Sequence, residues 1–86
     1  MSDFTCQSFS CSSRKCCAMV SSHRYEWPEV VGLDGLRAKQ IIISENPEVT
    51  VDFIRPGQGY FMDFCCNRVR IKIDGHGKVA STPMIG

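Results

Sequence analysis

No stretch of this 86-residue chain approaches the ~20 consecutive apolar residues of a membrane-spanning helix, and no block of like charges stands out. Ten Lys and Arg against nine Asp and Glu give a formal charge of +1. Without a basic patch the sequence predicts no nucleic-acid partner, and without an apolar span no membrane partner. The opening MSDFTCQSFS lacks the basic start and apolar core of a secretory leader, which predicts a cytoplasmic or non-classically secreted protein. No Ser-His-Asp or Cys-His set at catalytic spacing can be assembled around the two histidines, His23 and His76. The chain is therefore expected to be no enzyme and to hold no cofactor.

Cysteine is what the chain has in excess. Cys6, Cys11, Cys16 and Cys17 fall before residue 24, and Cys65 and Cys66 are adjacent further on. In a secreted chain six cysteines suggest three disulfides, with fifteen connectivities. Without a leader the thiols are expected to be reduced, with Cys65 and Cys66 as two separate thiols. A soft metal held by the tail thiolates is a weaker alternative. The Cys-x4-Cys-x4-Cys-Cys spacing is not that of a zinc site, and His23 makes a poor fourth ligand. The expectation is no metal.

Composition divides the chain. Residues 1–24 are rich in Ser and Cys and show neither helical nor strand periodicity, so they read as a flexible, disordered Cys/Ser-rich tail. The ordered domain spans 25–86, with Trp27, the only Trp, as its largest apolar anchor. A domain this small buries only ~60% of its unfolded surface.

The stretch DGLRAKQIIISE, from Asp34 to Glu45, predicts a helix with Asp34 as N-cap and Ala38, Ile41 and Ile42 as its buried stripe. Gly35 is a weak helix former, costing ~1 kcal/mol against Ala in a helix interior, and Pro47 ends the helix. VTVDFI predicts a strand, NRVRIKID a half-buried strand, DGHG a turn and KVAST a short last strand. This order gives an α+β fold, one helix packed on a small mixed β-sheet.

Between the first two strands lies a connection of roughly a dozen residues, longer than a hairpin loop. It carries Tyr60, Phe61, Met62 and Phe64, interrupted only by Asp63 and preceded by Pro56, Gly57 and Gly59. Large apolar groups on an exposed loop indicate binding. Arg68 and Arg70, on the strand face opposite the core, are placed to hold loop carbonyls and the Asp63 carboxylate. Alternating charge on a strand is by default a solvated face, but both arginines sit at the strand end next to the loop.

WPEVVG, then AK..I, NP, PG....MDF..NRVRI.ID and G.V...P.IG together resemble the potato inhibitor I family of serine protease inhibitors, from Trp27 to Gly86. The resemblance implies one helix against a small mixed sheet carrying a wide inhibitory loop, and a role in plant defence and the response to wounding. It places the scissile bond between Met62 and Asp63. Met62 then fills the protease's primary pocket, with Tyr60 and Phe61 on the acyl side and Asp63 and Phe64 on the leaving side. An unbranched apolar side chain suits subtilisin- or chymotrypsin-like partners rather than trypsin. Arg68 and Arg70 match the family's loop-supporting arginines, and the protein is expected to act as a monomer.

Three positions depart from the family pattern. Phe61 stands where a Thr usually joins the support network, Gly59 where a larger residue is usual, and Met84 where an Arg is common near the C-terminus. Each is expected to loosen the loop. The resemblance also implies a disulfide from Cys66 to a cysteine upstream of Trp27, either Cys17 or Cys16, stabilising by ~3 kcal/mol. The rival reading is a non-inhibitory scaffold with a cysteine-dependent redox or metal-binding tail.

Overall fold

The computed structural model describes residues 5–8, 10–21, 23–60 and 63–86. Its main helix, Gly35–Glu45, starts as the sequence predicts: an Asp34 carboxylate oxygen accepts a hydrogen bond from the Leu36 amide at 3.1 Å. Ala38 and Ile42 are buried and Ile41 partly so, which makes the expected stripe. The Asn46 amide closes the last turn on the Ile42 carbonyl at 2.8 Å, and the Asn46 side-chain oxygen accepts from Glu48 N–H just past Pro47. Gly35 is not a defect of this helix. A Cβ there would lie 3.0 Å from Phe53 Cε1, 3.2 Å from Ile73 Cγ2 and 3.3 Å from the Gly77 carbonyl oxygen. Glycine lets the first turn sit directly on the sheet. Gly35→Ala is therefore expected to destabilise the fold by about 1 kcal/mol despite the better helix propensity of Ala, because overpacking outweighs it. Thermal unfolding checks this, and an unchanged or higher Tm would refute it.

The strands Thr50–Ile54 (β1) and Arg68–Lys72 (β2) pair in parallel, with Val51 opposite Val69 and Phe53 opposite Ile71. Parallel neighbours cannot be joined by a tight hairpin, since the chain must return the length of a strand before pairing again. The long connection between them is thus forced by topology. Antiparallel contacts continue the sheet as single bridges: Val69 with Ile85, Ile73 with Val79, Asp34 with Lys78 and Glu26 with Met84. The stretch KVAST forms such bridges rather than a strand. Its turn is held by Asp74, whose Oδ1 accepts from the His76 and Lys78 amides. Trp27, Val30, Ala38, Ile42, Val69, Ile71 and Ile85 fill the core. Mixed pairing with one helix packed against it is the α+β arrangement expected.

The described residues of the stretch 1–24 carry more local structure than their composition predicts. Arg14–Ser21 is an eight-residue helix (α1, the main helix being α2). Such a helix is marginal alone. Here Ser13 Oγ caps it by accepting from the Cys16 amide, and covalent bonds anchor it. Cys11 is bonded to Cys16, Cys17 to Cys66 and Cys6 to Cys65. Cys17 is fully buried and belongs to the same core cluster as Trp27 and Val30. The expectation of reduced thiols is corrected: all six cysteines are paired. Cys65 and Cys66 do bond separately, each to a different part of the N-terminal segment.

Candidate functional site: a braced loop between the two strands

The loop leaves β1 through a tight turn. The Gln58 amide donates to the Arg55 carbonyl at 3.0 Å, with Pro56 and then Gly57 at the centre. Gly57 has φ +76°, a type II turn that needs glycine at its third position. Gly59 has no such reason, since an added Cβ would meet nothing within 4 Å. Beyond the turn Tyr60 lies against two cations: Arg70 Cζ is 5.0 Å and Lys72 Nζ 5.5 Å from its ring centroid. Phe61 and Met62, the residues expected on the acyl side of the scissile bond, lie outside the described residues.

On the other flank Asp63 is gripped by both arginines. Arg68 Nη2 donates to Asp63 Oδ1 at 2.9 Å and to its main-chain carbonyl at 3.1 Å, and Nη1 to Oδ2 at 3.3 Å. Arg70 Nη2 donates to Oδ1 at 2.6 Å. Arg70 therefore touches both Tyr60 and Asp63. Arg68 is not on a solvated face. It is 7% exposed, and its Nε donates to the Gly86 carbonyl at 2.8 Å while the Gly86 amide donates back to the Arg68 carbonyl. The hydrogen bonds from Arg68, then those from Arg70, hold the Asp63 carboxyl down from 3.8 to about 2. At neutral pH Asp63 is fully ionised.

A cleft of about 350 Å³ lies under the loop, lined by Arg14, Tyr60, Asp63, Arg70, Lys72 and Met84 among others. Met84 supplies no donor where an arginine was expected. A guanidinium does reach the residue next to it from α1: Arg14 Nε donates to the Ile85 carbonyl at 3.0 Å. Phe64, half-buried, packs against Gly86.

The cysteines of the loop stem are held from below. Cys66 and Cys17 lie with Cα atoms 5.4 Å apart, and the Cys6–Cys65 pair at 5.2 Å. Closing a chain segment of 49 residues, as Cys17–Cys66 does, stabilises by about 4 kcal/mol in the chain-entropy account. Three parts of this site escaped sequence reasoning: the Cys6–Cys65 bridge, Arg14, and Asn67, whose side chain binds the N-terminal segment. The even cysteine count was the only signal available, and it left fifteen pairings open.

The described part of the connection between the parallel strands thus carries one acidic residue, Asp63, gripped by an arginine pair. The potato inhibitor I family profile matches residues 19–86. The chain belongs to that family of serine protease inhibitors. It is 45% identical over 60 residues to an inhibitor of trypsin and Hageman factor from Cucurbita maxima, covering 70% of this chain and 88% of that one. It is 40% identical over 62 residues to a trypsin/subtilisin inhibitor of Amaranthus caudatus, covering 72% and 90%. The crystal structure of bitter gourd trypsin inhibitor superposes with a TM-score of 0.72 at 42% identity, covering 74% of this chain and 94% of that one. These relatives inhibit proteases and are not enzymes. A relative from Solanum peruvianum, 38% identical over 60 residues, is named a wound-induced proteinase inhibitor.

Proposed function

We propose that this protein inhibits subtilisin- or chymotrypsin-like serine proteases, acting as a monomer through a substrate-like loop whose scissile bond is Met62–Asp63. The observation that carries the reading is the grip of Arg68 and Arg70 on Asp63, next to the proposed bond. A protease binds an extended peptide by main-chain pairing and side-chain pockets. A loop already held in that shape avoids much of the ordering cost of binding. The tight complexes known for standard protease–inhibitor interfaces rest on that pre-organisation.

Tyr60, Phe61 and Met62 supply the acyl side, and Asp63 and Phe64 the leaving side. The unbranched apolar Met62 selects the partner. The metal-binding part of the rival reading requires thiolates, and the six sulfurs stand in three bridges.

The test is titration of subtilisin, chymotrypsin and trypsin with the purified protein, following residual activity and inhibitor mass. The expected result is stoichiometric inhibition of subtilisin or chymotrypsin, with trypsin spared. Slow appearance of a species one water heavier, cut at Met62–Asp63, is expected alongside. Inhibition of trypsin alone, or cleavage at another bond, would overturn the assignment.

A further inference from the structure

We infer that the N-terminal segment is a working part of the inhibitory site: a clamp, locked by Cys6–Cys65 and Asn67, that holds the leaving side of the loop so that a severed Met62–Asp63 bond is resealed. The inference rests on the loop assignment above and deepens it.

Residues 5–8 lie against the loop stem, joined to it by one main-chain hydrogen bond, two from the Asn67 side chain and a disulfide. The Asn67 side chain serves both ends of a peptide-like pairing: Nδ2 donates to the Thr5 carbonyl at 2.8 Å, and Oδ1 accepts from the Gln7 amide at 2.9 Å. The Cys66 amide in turn donates to the Gln7 carbonyl. Cys6 sits between these pairings and is bonded to Cys65. The stem is also fixed on its other side, where the Thr50 amide of β1 donates to the Asn67 carbonyl at 2.8 Å. Cys65 is fully buried and Cys66 is 7% exposed, although both belong to a loop.

The chemistry shows what the clamp is for. When the protease serine oxygen attacks the Met62 carbonyl carbon, the Met62–Asp63 C–N bond breaks. Met62 is then an ester of the serine, and the Asp63 nitrogen takes a proton and becomes a free amine. Resealing is the reverse. The amine attacks the ester carbon, the C–N bond re-forms, and the serine oxygen recovers its proton. No outside reagent is needed, and the competitor is water. The outcome turns on how closely the Asp63 amine is kept to the ester, which is a matter of effective concentration.

A cut after Met62 divides the chain into 1–62 and 63–86. Arg68 and Arg70 lie on the same fragment as Asp63 and orient it; of the two, Arg70 also meets the ester's fragment, at the Tyr60 ring, but that contact is not covalent. Two covalent links cross the cut, Cys6–Cys65 and Cys17–Cys66. One bridge sets a distance but allows rotation about its bonds. Two bridges from adjacent stem residues to anchors at residues 6 and 17 restrict rotation as well. Cys65, two residues from the new amine, gives the shorter tether.

The experiment compares the wild type, the double variant Cys6→Ser with Cys65→Ser, and Asn67→Ala with all bridges kept. Each is incubated with a catalytic amount of a protease that the wild type inhibits, starting from intact and from cleaved inhibitor. Non-reducing mass spectrometry then reads the stationary ratio of intact to cleaved protein. The expected result is a ratio about tenfold lower in the double variant and several-fold lower in Asn67→Ala, with association rates within about twofold of wild type. A fold defect would instead lower association, and thermal unfolding identifies it. Should Asn67→Ala fail to fold, Gln7→Pro removes the same amide donor from an exposed position. Variants that fold and reach the wild-type ratio would overturn the clamp. A wild type that neither inhibits nor is cut at Met62–Asp63 would instead overturn the loop assignment, so the two failures are distinct.

Discussion

Met62→Lys is expected to transfer inhibition from subtilisin- and chymotrypsin-like enzymes to trypsin, with a change of about a hundredfold or more in each inhibition constant. The size follows from where the side chain acts. In the proposed complex it alone enters the primary pocket. Burying the Lys ammonium in an apolar pocket leaves a charge without a partner, whereas a pocket with a carboxylate supplies one. The substitution leaves the described supports in place, because the contacts of Arg70 with Tyr60 and of both arginines with Asp63 involve no side-chain atom of residue 62. The relatives show one scaffold serving different proteases. One is named for trypsin and Hageman factor, another a "Glu S.griseus protease inhibitor", and a third for trypsin and subtilisin. Specificity on such a scaffold lives in the site rather than the fold. Inhibition constants against the three enzymes check the prediction. A Lys variant that still inhibits chymotrypsin as well as the wild type does would show that residue 62 lies outside the pocket.

Legibility of the sequence varied with the range of the interaction. Helix α2 could be read because its cap and stripe are local: Asp34 bonds an amide two residues on, and Ala38, Ile41 and Ile42 share one face. β1 and β2 could be read from their alternation, but not their parallel pairing, which depends on a register between residues eighteen apart, Thr50 with Arg68. Gly35 looked like a fault because propensity is a property of one segment, and its reason is Phe53 across the interface. Arg68 could be placed beside the loop from its position at the strand end, but its burial could not be read, because it comes from Asp63 and the Gly86 carbonyl. The N-terminal segment was the least legible. The structure of its described residues comes from Cys17–Cys66, 49 residues apart, and from Cys6–Cys65 and Asn67, more than fifty residues distant, and no periodicity records such links. The three bridges also call for oxidising conditions during folding, contrary to the reduced thiols expected from the first residues.

Arg68→Ala is expected to turn the inhibitor towards a substrate, with hydrolysis at Met62–Asp63 at least about tenfold faster and association little changed; the half-exposure of Asp63 keeps the figure from being larger. The variant removes the described side-chain hydrogen bonds of Arg68 at once: three to Asp63 and the one to the Gly86 carbonyl that ties the loop to the C-terminal residues. Arg70→Ala removes one hydrogen bond to Asp63 and the Tyr60 contact, so its effect is expected to be smaller. The same grip sets a pH dependence. The Asp63 carboxyl is held from 3.8 down to about 2, chiefly by Arg68 and then by Arg70. A group whose folded pKa is depressed contributes stability that is fully present above its unfolded pKa and lost as pH falls through the folded one. Loop support is therefore complete above about pH 4 and fails towards pH 2. Removing Arg68 returns the carboxyl towards its ordinary value, so the failure begins at higher pH. Carboxyl carbon chemical shifts of Asp63 in both proteins give the titration midpoints, and time courses of cleavage give the hydrolysis rates. Equal midpoints would show that Arg68 does not hold Asp63 in solution, and equal hydrolysis rates that its hold does not protect the bond. Only a raised midpoint together with faster cleavage ties the electrostatic grip to inhibition.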